Sequence, residues 1–157
     1  MFSGAGCTGV RTFIQSGNVI FDAPAAAPAQ TQAIADAVRM DIEKRFGYRI
    51  PIILRTSQQL LKTIRANPFL ETAADQRALH VYFLAGAANA RAIASLDTGR
   101  SAPDAFHVHG REIYLHLPNG MGRTKLTNAY FDSKLSTVCT ARNWATVLKL
   151  AALTAAR

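Results

Sequence analysis

From Val10 to Asp22 apolar and polar residues alternate on both sides of Ser16-Gly17-Asn18, which predicts a β-hairpin with glycine supplying the positive φ of its turn. A Pro/Ala loop follows from Ala23 to Ala29. The period then changes: Ile34, Val38, Ile42 and Phe46 recur at every fourth position, one stripe of a helix, with Gly47 as its C′ residue. Arg49 to Arg55 is largely apolar and predicts a short buried strand that, given Pro51, lies at an edge or begins there. Thr56 or Ser57 is positioned to cap a helix that carries Leu60, Leu61 and Ile64 and is stopped by Asn67-Pro68.

A second series starts at Leu79. His80 to Ala85 reads as a strand and Ala87 to Leu96 as a short helix. Phe106 to Leu117 reads as a hairpin turning at Gly110-Arg111, with Phe106, Val108, Ile113, Leu115 and Leu117 on one face. Thr124 to Leu135 is the next helix, with Thr124 as its N-cap and Leu126, Tyr130 and Lys134 in line. Asn143 to Thr154 is the last, packing Val147, Leu148 and Leu150. The order is ββαβα and then βαββαα: an α+β fold of two ferredoxin-like halves, residues 1–72 and 73–157, with antiparallel sheets and helices on one face. The first half matches only the last four elements of a β-α-β-β-α-β unit. The second ends on a helix where the last strand belongs.

Composition narrows the class without naming a chemistry. The hydrophobic fraction of 49% in 157 residues is that of an ordinary globular chain. No apolar run is long enough to span a bilayer, and the first residues have neither a charged n-region nor an apolar h-region. Two cysteines, Cys7 and Cys139, are too few for a disulfide framework, so the reducing cytoplasm is the expected compartment.

Charge is distributed unevenly. Of the formal +8, the stretch from residue 119 onward holds Arg123, Lys125, Lys134, Arg142, Lys149 and Arg157 against the single acid Asp132. Gly120 and Gly122 lead into one predicted helix start beside Arg123 and Lys125, and Arg142 precedes another. Free N–H groups and a partial positive charge at helix starts, with basic side chains and a glycine loop, are what an anion site requires. The candidate anion-binding set is Gly120, Gly122, Arg123, Lys125, Asn128, Arg142 and Asn143; a solvated polar face accounts for the same residues. The spacing is not that of a Walker A loop, and no cofactor is expected. Trp144 is a possible stacking platform for a base, although a lone tryptophan beside Val147 and Leu148 is more often a core anchor. His107, His109, Glu112, Tyr114 and His116 share the polar face of the second hairpin, but their spacing is too loose to assign a metal. No catalytic arrangement of Ser/His/Asp or paired carboxylates is visible.

Three segments carry a resemblance: Val-Arg-Thr-Phe-Ile-Gln-Ser-Gly-Asn-Val-Ile-Phe (10–21), Leu-His-Val-Tyr-Phe-Leu-Ala-Gly (79–86) and Arg-Glu-Ile-Tyr-Leu-His-Leu-Pro-Asn-Gly-Met-Gly-Arg-Thr-Lys-Leu-Thr-Asn (111–128). With Thr140-Ala141-Arg142-Asn143-Trp144 they resemble the bacterial family DUF1697. The resemblance implies an α+β fold with a ferredoxin-like subdomain and brings no established activity. It also implies an opening strand, a glycine-rich loop and a helix that this chain starts after. Inner strands left without a neighbour invite a homodimer or a strand swap through the gap.

The expected function is therefore a binding module for a phosphate-bearing ligand, possibly nucleic acid. An enzyme acting on a small anionic metabolite, its site completed by the absent loop, and a structural or interaction protein without a ligand are the alternatives. No membrane is among the expected partners.

Overall fold

A computed structural model describes residues 1–13, 17–24 and 28–155. The hairpin tip residues Gln15 and Ser16 and the middle of the Pro/Ala loop lie outside that set. The chain divides into two compact units, Met1–Thr56 and Ser57–Arg157. No helix among the described residues is long and apolar enough to cross a membrane.

The first unit pairs β1 (Thr8–Phe13) with β2 (Asn18–Asp22) in antiparallel register, with an irregularity between Thr8 and Arg11. Helix α1 (Pro28–Phe46) presses Ile34 and Val38 onto Cys7, with Phe2, Phe21, Ile42, Ile52 and Leu54 packed around them. Gly47 ends α1 as expected: its φ is +73°, and its N–H donates to the Glu43 carbonyl at 2.9 Å. Phe46, the last residue of the predicted stripe, is 59% exposed.

The predicted strand at Arg49 to Arg55 does not form. Ile52 and Leu54 reach the core from an irregular segment that pairs with no strand among the described residues. A strand needs a neighbour for its N–H and C=O groups, and Pro51 has no N–H to give.

In the second unit α2 (Ser57–Arg65) precedes β3 (Leu79–Leu84), α3 (Ala90–Ala94), β4 (Ala105–His109), β5 (Glu112–His116), α4 (Asn128–Leu135), β6 (Cys139–Asn143) and α5 (Trp144–Ala155). The sheet order is β4-β5-β3-β6, antiparallel throughout. From β3 to β6 this is the complete β-α-β-β-α-β order of a ferredoxin-like unit. The closing strand, missing from the sequence reading, is Cys139–Asn143. Cys-Thr-Ala-Arg-Asn alternates only through the small residues Cys139 and Ala141, too weak a signal to read; what makes it a strand is its ladder with β3, from His80 opposite Asn143 to Leu84 opposite Cys139.

The hairpin face is as expected. Phe106, Val108, Ile113, Leu115 and Leu117 lie in one cluster with Tyr82, Leu84, Leu126, Tyr130, Phe131 and Leu135. The helices, however, cover both faces. Tyr114 follows Ile113 and so points the other way. It is fully buried, and its hydroxyl donates to the Thr63 carbonyl of α2 at 2.9 Å. α2 packs in turn on α5, so the helix that sequence grouped with the first half belongs to this unit. Two helical details also move. α4 buries Tyr130, Phe131 and Leu135 while Lys134 faces water. α5 buries Trp144, Thr146, Val147 and Ala151, leaving Leu148 39% exposed.

Candidate functional site

After β5 the chain turns at Leu117-Pro118-Asn119-Gly120, where the Gly120 N–H donates to the Leu117 carbonyl at 3.0 Å and Gly120 adopts φ +81°. No helix follows at once. Thr124 does not cap one; its hydroxyl accepts the Leu126 N–H at 3.1 Å in a local turn. The cap is Thr127, whose side chain accepts from the Tyr130 N–H at 3.2 Å. The delay has a cause. Leu126 is buried in the core, and its carbonyl accepts the buried Tyr82 hydroxyl at 3.1 Å, which fixes the backbone outside a helix. Arg123 and Lys125 therefore sit in a loop ahead of α4, not in its first turn.

That loop is clamped by another. Ser101 Oγ accepts the Lys125 N–H at 2.9 Å and donates to the Asp104 carboxylate at 2.7 Å. Arg100 Nε donates to the Lys125 carbonyl at 3.0 Å, and its guanidinium lies 4.2 Å from the centre of the Tyr130 ring. The Tyr130 hydroxyl accepts the Asp97 N–H at 2.9 Å. The backbone of one residue, Lys125, is thus held at both its N–H and its carbonyl. Three exposed cations, Arg100, Arg123 and Lys125, stand on the tied loops, and no ion pair engages them among the described residues. Gly120 and Gly122 have open space where a Cβ would stand. Sequence reasoning missed Arg100, because a contact spanning 25 positions leaves no local pattern.

The other candidates are placed elsewhere. Asn128 Nδ2 donates to the Cys139 carbonyl at 2.8 Å, while Asp132, one turn on, accepts the Cys139 N–H at 2.8 Å. The pair fastens the start of β6 to α4. Burial, reinforced by the neighbouring Asp132 carboxylate, pushes the Cys139 thiol far up, so the group stays an un-ionised core residue. Arg142 lies within β6, not at a helix start. It stands opposite Val81, on the face away from Tyr82 and α4. Its Nη1 donates to Thr140 Oγ1 and to the Ala141 carbonyl, each at 2.7 Å, and burial lowers its pKa. Asn143 Oδ1 accepts the Thr146 N–H at 2.8 Å and so caps α5. Trp144, at 2% exposure, is a core anchor with almost no ring surface left for a base. The structure thus ties the Lys125 backbone of the Gly120–Lys125 loop to Arg100 and sets Arg142 on the face of the sheet away from Tyr82.

The polar hairpin face does not gather a metal site either. His107 stands opposite Tyr114, His109 opposite Glu112 and His116 opposite Ala105, with the buried tyrosine between the histidines. Among the described residues no three histidine, cysteine or acidic side chains converge.

A cleft of about 300 Å³ opens where β3, β6 and α5 meet, lined by Gln76, Arg77, His80, Asn143, Trp144, Ala145 and Leu148. Burial lowers the His80 pKa, opposed only by the Ala78 carbonyl 3.4 Å from its Nδ1. Arg77 is occupied by Asp75, at 2.7 Å.

One family model, described as a protein of unknown function (DUF1697), matches residues 1–114. The chain belongs to the DUF1697 family. Comparison with curated proteins and with solved structures gave no match. The DUF1697 match takes in Arg100 and the His80 side of the cleft, and it ends at Tyr114, before Gly120, Arg123 and Lys125.

Proposed function

We propose that this DUF1697 chain binds a phosphate-bearing ligand at its paired loops, with single-stranded nucleic acid as the class best suited to an open, exposed site. The observation that carries the reading is the double clamp on the Lys125 backbone. It orders two loops that would otherwise lose entropy on binding, and those loops carry three exposed cations that no ion pair engages among the described residues. The Gly120 N–H is already given to the Leu117 carbonyl, so the backbone donor this loop would offer an oxyanion is that of Gly122, which has nothing within 4 Å of its missing Cβ. Residues 97–104 and 118–127 hold no histidine or cysteine, which favours binding over catalysis on a small anionic metabolite. Arg142 and Asn143 have no part, being engaged with their own strand and with α5.

Fluorescence anisotropy with a labelled oligonucleotide across a salt series tests this. Three phosphate contacts on a single strand correspond to a slope of log K against log salt of about −2. Arg123→Ala with Lys125→Ala is expected to lower that slope in magnitude and weaken binding, while Arg142→Ala leaves both unchanged. Salt-independent binding, or equal losses in the two variants, refutes the assignment.

A further inference from the structure

We propose that the cleft between β3, β6 and α5 is a second binding site, built for an uncharged planar heterocycle that carries an N–H beside a C=O, the lactam or imide edge that a nucleobase presents. It is independent of the phosphate reading and rests on different residues.

The argument starts from register. His80 and Asn143 stand directly opposite each other across β3 and β6. Cross-strand partners project from the same face with Cβ atoms about 4.5–5.5 Å apart. The two side chains therefore enter the cleft side by side, and each has one end already committed. Asn143 Oδ1 holds the Thr146 N–H at 2.8 Å, which turns its Nδ2, a donor, outward. His80 Nδ1 faces the Ala78 carbonyl at 3.4 Å, and a carbonyl can only accept, so this contact favours the tautomer with hydrogen on Nδ1, in which Nε2 offers a lone pair. Neither Asn143 Nδ2 nor His80 Nε2 has a partner among the described residues. A donor beside an acceptor is the complement of a ring edge with C=O beside N–H.

The rest of the lining agrees with an uncharged, flat occupant. Arg77 is neutralised by Asp75 through contacts of 2.7 and 2.8 Å, so the cleft brings no free cation for an anion. The lowered pKa of His80 keeps its imidazole uncharged at neutral pH. Leu148, 39% exposed on the rim, and Ala145 supply apolar surface that a ring would cover. The volume, about 300 Å³, is at the small end of ligand sites and suits one ring system. Gln76, which can present either end of its amide, completes the polar side.

The test is a titration of uridine and of inosine, each bearing a ring N–H beside a carbonyl, into the ¹⁵N-labelled full chain, read at the His80 ring nitrogens. The expected result is a saturable shift of Nε2. 3-Methyluridine, which lacks the N–H, is expected to bind at least tenfold more weakly. Asn143→Asp keeps an oxygen to cap α5 but replaces the donor with an acceptor, so it should retain the parental unfolding midpoint and also lose at least tenfold. Leu148→Lys, on the exposed rim, is a second variant expected to weaken binding without touching the core. The proposal is overturned if neither nucleoside shifts His80 at millimolar concentration, or if 3-methyluridine, Asn143→Asp or Leu148→Lys binds as well as its parent.

Discussion

Tyr82→Phe removes one oxygen atom and tests how the core positions the basic loop. The Tyr82 hydroxyl is buried and donates to the Leu126 carbonyl at 3.1 Å, with Met121 Sδ at 3.8 Å. Its ring stays in place in the variant, since the edge contacts with Phe131 at 5.5 Å do not involve the hydroxyl. What is lost is one hydrogen bond, and the Leu126 carbonyl is left buried without its donor. Such a change costs about 1–2 kcal/mol, the upper part of that range reflecting the stranded acceptor. With a urea m value of roughly 2 kcal/mol per molar, the midpoint should fall by roughly 0.5–1 M. Tyr114→Phe is the matched control. It too removes a buried hydroxyl from a carbonyl, that of Thr63 at 2.9 Å, but on the other face of the sheet. Both variants should lose similar stability, and only Tyr82→Phe should weaken oligonucleotide binding, because only it frees the segment that holds Lys125. Equal binding losses, or a Tyr82→Phe midpoint identical to the parent, would refute the claim that this phenol orders the loop.

Three further outcomes follow from the same geometry. Asn128→Ala should cost about 1 kcal/mol in chemical denaturation through loss of the Cys139 contact, yet leave anion binding intact. Stability should fall on acidification below about pH 6.5, because the unfolded chain protonates His80 before the folded one does; His80→Gln should flatten that part of the profile. At the alkaline end the sign reverses. Burial pushes Tyr82 up to about 12 and raises Tyr114 as well, so from about pH 10 upward the unfolded chain loses phenolic protons first and stability declines. Ultraviolet titration should then find two tyrosines that ionise only as the chain unfolds.

Periodicity along the chain was enough for the α+β class, the stripe of α1 at Ile34 and Val38, and the hairpin face from Phe106 to Leu117, because each depends on neighbours in sequence and on burial of one side. It was not enough wherever a distant partner makes the element. Cys139–Asn143 is a strand because β3 pairs with it, and the apolar Ile-Pro-Ile-Ile-Leu segment is not a strand because nothing pairs with it among the described residues. The candidate site divides along the same line. The cations Arg123 and Lys125 and the two glycines could be read directly, since composition and turn chemistry are local. The helix start moved from Thr124 to Thr127 because the Tyr82 hydroxyl, 44 residues earlier, takes the Leu126 carbonyl. Arg100 joined the site and Arg142 left it for a reason that no local pattern carries. Which face of a sheet a side chain occupies, and which peptide it grips, follow from strand register and loop contact in three dimensions.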